Sequence, residues 1–140
     1  MLPLDRTDPR IDEGLRVTLR ALGEMSRRTA ASGAEFLVLW IPTKELVFAP
    51  QITDPSADLR RLIKAETELQ RLVEERSRDL DAHFVDALPA LRHALETHEM
   101  PYPESADGHP TASGYASIAA VVAAALPAPG RAVHNDGGEL

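Results

Sequence analysis

No cysteine occurs anywhere in the chain, which excludes disulfides, thiolate metal sites and a cysteine nucleophile. That absence fits a reducing or an oxidising compartment equally well. Positive charge is not in excess: 15 Lys and Arg stand against 22 Asp and Glu, a formal net charge of -7. With the acids dispersed and no basic stripe, the pattern argues against nucleic acid as a partner and disfavours anionic membranes and polyanions. Aromatic residues are scarce, at 4%. Long apolar runs are missing too. The longest, Ile118 to Leu126, is mostly alanine and well short of the ~20 residues of a membrane span. The N-terminal stretch MLPLDRTDPR lacks the apolar core of a signal peptide. The chain reads as a soluble piece without its own address, so its compartment is left open.

What is present suits one small domain: 140 residues, 44% hydrophobic and 26% charged, a size that favours one core over two. Asp8-Pro9 pairs an N-cap acid with a proline at the first helical position. Ile11, Leu15, Leu19, Leu22 and Met25 follow at helical spacing, predicting an amphipathic helix that ends near Ser32-Gly33. Phe36 to Ile41 is an unbroken apolar run of strand length, the pattern of a central parallel strand covered on both faces, with Trp40 in the core. Pro42 stops it. Residues Thr43 to Pro55 read as a loop. From Ala57 to Leu80 the apolar positions are helical again, with Glu66, Glu68, Arg71, Glu74, Glu75 and Arg78 forming a solvated charged face. A short strand, His83 to Asp86, precedes a helix near Leu88–Thr97. A turn-rich segment from Met100 to Gly108 leads to a last helix from about Pro110 to Leu126. The tail, 127–140, is expected to be disordered. The alternation predicts an α/β fold with a parallel sheet, part of a doubly wound, flavodoxin-like three-layer sandwich. Two strands alone leave sheet edges unpaired, so the chain reads as part of a larger α/β domain, prone to self-association through an exposed edge.

The most informative short motif is Asp107-Gly108-His109-Pro110. An acid and an imidazole two residues apart meet if the backbone turns between them, and Gly108 permits the turn. The carboxylate would then hold one imidazole nitrogen and leave the other free to move protons, the base half of a hydrolytic triad. The competing reading is a polar helix start in which both residues cap or face solvent. Thr43 and Lys44 follow the first strand directly, where open α/β sheets bind ligands, so they are candidate substrate-binding residues; otherwise Lys44 is an ordinary surface lysine. Asp86, at the end of the second strand, either faces the same crevice or caps the next helix. Ser105, Ser113 and Ser117 are chemically competent nucleophiles, yet none lies on a strand-to-helix elbow. His83, His93, His98 and His109 show no recognised zinc spacing, so no metal is expected.

Two segments together resemble the SGNH (GDSL-like) hydrolase superfamily, in particular its branch similar to alginate O-acetyltransferases. One runs from Phe36 through Ile41-Pro42-Thr43-Lys44 to Val47; the other is Tyr102 to Tyr115, with an acid, a histidine and a following helix. The similarity implies that residues 1–126 form the C-terminal portion of a single SGNH-like α/β domain. It also implies a serine esterase or O-acyltransferase acting on an acylated carbohydrate or small ester, without cofactor, extracytoplasmic or periplasmic in the parent protein. Carried over residue by residue, Asp107 is the orienting acid and His109 the base. The chain departs from the family pattern by lacking Gly-Asp-Ser and Gly-x-Asn-Asp, the nucleophile and oxyanion blocks, so the isolated chain is expected to be inactive. The alternative is a non-catalytic remnant or accessory module that binds saccharide or a protein partner.

Overall fold

The computed structural model describes residues 5–126; the expected tail at 127–140 lies outside them. Helix α1 (Pro9–Ala31) starts as the sequence predicts, with the Asp8 carboxylate accepting the Arg10 N–H and Pro9 in the first turn. It stops at Ser32, followed by Gly33 at φ 71°, a conformation glycine adopts without a Cβ penalty. Strand β1 (Leu37–Trp40) and strand β2 (His83–Asp86) pair in parallel, Leu37 opposite His83 and Trp40 opposite Asp86. Between them come helix α2 (Lys44–Phe48), a 3-10 turn at Ala49–Gln51 and helix α3 (Ala57–Asp79). Helices α4 (Leu88–Glu96) and α5 (Ala112–Ala125) complete the fold. The chain is thus a mixed α/β protein built around a small parallel sheet.

Side chains alternate across the two strands. Leu39, on one face, packs against a core of Val47, Ala87, Leu91, Tyr102 and Ile118 drawn from α2, α4, α5 and the segment between the last two helices. Trp40 and Asp86 share the other face, where Gln70 of α3 donates to Asp86 at 2.7 Å. The N-terminal helix contributes least: no residue of α1 is buried. It leans on the C-terminal half of α3, with Arg76 donating to the Leu19 carbonyl and Ser26 to that of Leu80.

Four expectations are corrected. Thr43 to Pro55 is not simply a loop, because Thr43 caps a short helix by accepting the Leu46 N–H and a 3-10 turn follows. The last helix begins at Ala112 rather than Pro110, since Thr111 supplies the N-cap hydroxyl to Gly114. Trp40 is only half-buried, and its indole N–H is sequestered without an acceptor among the described residues. Glu66, read as part of a solvated face, is 2% exposed. It lies on the same helical stripe as the buried Leu69, Val73 and Ser77.

Candidate functional site

The segment between α4 and α5 is pinned at both ends before it presents any chemistry. At one end the Tyr102 hydroxyl donates to the Pro42 carbonyl at 2.6 Å from a fully buried position. Burial, reinforced by the negative charge of Glu66, pushes its phenol up to about 12, so it stays a protonated donor. At the other end the Thr111 N–H donates to the Pro101 carbonyl at 2.9 Å, and the Thr111 and Ser113 hydroxyls both donate to the Met100 carbonyl. Gly114 makes this docking possible. A Cβ there would lie 2.2 Å from the Pro101 carbonyl oxygen, far inside contact distance.

Between those anchors, residues 103–109 rise into solvent. Asp107 and His109 meet there: the His109 Nδ1 lies 2.7 Å from Asp107 Oδ1, and the His109 backbone N–H donates to the same oxygen at 3.0 Å. An ionised carboxylate only accepts, so the imidazole donates from Nδ1 in this pair, and the neutral tautomer that does so carries its lone pair on Nε2. The two hydrogen bonds from His109, first backbone and then side chain, hold the Asp107 carboxyl below its ordinary value of 3.8. The pair is well exposed, with side-chain accessibilities of 82% for His109 and 57% for Asp107. In that setting geometry, rather than a dry environment, keeps the imidazole oriented.

Lys44 is the clamp. Its ammonium group donates to the backbone carbonyls of Ser105, of Pro103 at 3.3 Å and of Asp107 at 3.5 Å. One charge at the start of α2 thereby organises a turn about sixty residues away. Thr43 is equally committed, its N–H and hydroxyl both donating to the buried Glu66 carboxylate, at 2.7 and 2.5 Å. The two residues expected to bind substrate therefore hold intramolecular partners that fix the loop after β1 and, through it, the acid–histidine turn. Asp86, one residue ahead of the Ala87 N-cap of α4, accepts the Leu88 N–H at 2.9 Å as well as the Gln70 amide.

None of the three serines addresses the imidazole. The Ser105 hydroxyl accepts the Asp107 N–H, Ser113 serves Met100, and Ser117 donates to the Ser113 carbonyl. Among the described residues no cluster of three or more His, Asp or Glu is placed to hold a metal ion. His83 and His93 each stand near a local glutamate instead, Glu35 and Glu96. No described helix is long and apolar enough to cross a membrane. The residue that sequence reasoning missed is Glu66. Its signal was its register, four residues after Leu62 and three before Leu69, which puts it on the inward stripe.

Set against known proteins, the chain matches no family model, no curated protein and no solved structure.

Proposed function

We propose that the chain is the acid–histidine portion of an SGNH-like serine esterase or O-acyltransferase that acts on acyl groups of carbohydrates. The observation that carries this reading is the 2.7 Å bond between Asp107 Oδ1 and His109 Nδ1, on a turn clamped by the lysine that follows β1. In the complete site a serine attacks the ester carbonyl and His109 Nε2 takes its proton. Asp107 stabilises the imidazolium, and backbone amides receive the oxyanion. Water or a sugar hydroxyl then resolves the acyl-enzyme. The finer fold in this proposal is the doubly wound three-layer sandwich of that superfamily. Helices packed against β1 and β2 and the parallel pairing support it. The serine-bearing block belongs to another segment of the parent protein, and the setting is extracytoplasmic or periplasmic.

The second reading is a non-catalytic module that binds saccharide or a protein partner. It is favoured by one observation: no serine hydroxyl of the described residues hydrogen-bonds His109. Acetyl-ester hydrolysis separates the two. The chain alone should turn over no faster than His109→Ala. Supplied with a Gly-Asp-Ser-bearing segment of its parent protein, it should gain activity that requires both His109 and Asp107. A completed protein that stays inactive on acetyl esters and acetylated sugars, while binding saccharide, would favour the second reading.

A further inference from the structure

Beside the clamped turn, on the α2 side, the surface opens into a cavity of about 590 Å³, well within the size range of small-molecule sites. Its floor is apolar, made by Phe48, Ile52, Leu95 and Met100. Ile52 and Met100 remain substantially exposed, at 37% and 41%, so this apolar surface is available rather than sealed. The wall is shared with the turn itself through Pro103 and Lys44.

Charge distinguishes this cavity from a plain apolar dent. Two carboxylates, Glu45 and Glu104, line it, and neither forms a hydrogen bond or ion pair among the described residues. The one ammonium group in the lining is Lys44, and its donors are directed at the carbonyls of residues 103, 105 and 107. His98 adds an imidazole and Gln51 an amide. Two carboxylates against that one ammonium leave the lining a formal excess of one negative charge beside its apolar residues, and Phe48 adds an aromatic ring. The chain's net charge of -7 adds a long-range field of the same sign.

We propose that this cavity is a binding site for an organic cation: a protonated amine or quaternary ammonium group carried on an apolar body. The body lies on Phe48, Ile52, Leu95 and Met100, and the charged head faces Glu45 and Glu104. The site is independent of the acid–histidine chemistry proposed above and stands whether or not that reading holds.

Three probes of one shape test it on the full chain: 4-phenylbutylamine, 4-phenylbutanol and 4-phenylbutyrate, titrated at low ionic strength by calorimetry and by amide chemical shifts. The amine should bind saturably and shift the amides of residues 45–52 and 95–104. The alcohol should bind several-fold more weakly and the carboxylate more than about tenfold more weakly, as one or two partly solvated charge contacts dictate. Glu45→Gln with Glu104→Gln should bring the amine down to the alcohol's affinity, with circular dichroism unchanged. Ile52→Ser, at an exposed position, should weaken amine and alcohol alike. The proposal is overturned if the three probes bind equally, if the carboxylate binds best, if the double variant leaves the amine's advantage intact, or if no probe saturates in the millimolar range.

Discussion

At the residue scale, four groups carry the arrangement, and each makes a separate expectation. Lys44 holds the turn by three carbonyls, so Lys44→Met should free residues 103–109 while leaving the core of Val47, Leu91 and Tyr102 in place. Amide hydrogen exchange in that turn should rise by about tenfold or more, the effect of losing charge-assisted bonds of roughly 1.5–3 kcal/mol. Lys44→Arg should restore part of the protection. Unchanged exchange would mean that the turn is held by Tyr102 and Thr111 alone. Glu66 presents a different balance. Replacing it by Ala leaves the Thr43 N–H without its acceptor, which should cost about 1–3 kcal/mol in a denaturant titration. Tyr102 gives a pH dependence with a definite sign. Its folded value, about 12, lies above the ordinary 10.0. The neutral phenol is therefore favoured by folding, and its contribution is complete below pH 10 and lost as pH rises towards 12. Tyr102→Phe should flatten the stability profile across that window. Asp107 runs the other way, its lowered value keeping the carboxylate–imidazole bond through neutral pH and losing it only in acid below 3.8.

At the element scale the decisive junction is the first turn of α5 against the Met100–Pro101 backbone. Gly114→Ala replaces a hydrogen with a methyl directed 2.2 Å from a backbone carbonyl oxygen, so α5 must shift or the turn must move. Overpacking of this kind should lower stability by about 1–3 kcal/mol and displace Asp107 and His109 together, visible as changed shifts at both residues. A variant with wild-type melting and an unmoved turn would show that α5 is not what seats the segment. This junction also shows why some elements were legible in the sequence and others were not. The helices α1 and α3 and both strands follow from local periodicity and, for α1, from the Asp8-Pro9 cap, where the signal is contained in a few neighbouring residues. The parallel pairing follows from β-α-β order. The acid–histidine contact follows from spacing and one glycine. What was not legible depends on partners far apart in sequence. Lys44 reads as a free ligand-binding cation until carbonyls some sixty residues on are brought beneath it. The inward register of Glu66 was readable beside Leu69, but its partner Thr43, twenty-three residues earlier, was not. Helix α2 is too short for periodicity to declare itself, and only its Thr43 cap and the burial of Leu46 and Val47 reveal it.

At the scale of the whole molecule the open question is what covers the sheet. The described strands number two, each four residues long, and each is paired along one side only. Such a small parallel sheet leaves backbone donors and acceptors in a row on its outer edges, a template for further pairing. Exposed apolar side chains add to this: Ile41, just past β1, is 44% exposed, and on the weakly packed α1 Val17 is 44% and Met25 50% exposed. A chain built this way should not remain a strictly monomeric solute. Sedimentation of residues 1–140 should show concentration-dependent association, and a solvatochromic hydrophobic dye should brighten on the monomeric species and less on the associated one, where the same surface is covered. Ile41→Lys places a charge beside the β1 edge without touching the core cluster, and should reduce association several-fold while the melting temperature moves little. If the edge instead docks a serine-bearing segment of the kind proposed above, that segment should suppress self-association and dye binding together. It would do so because one surface cannot serve two partners. A wild-type chain that sediments as a monomer at every concentration, binds no dye and unfolds cooperatively would contradict the open-edge argument at its base. The two short strands would then be sufficient, with their helices, to close a small α/β core.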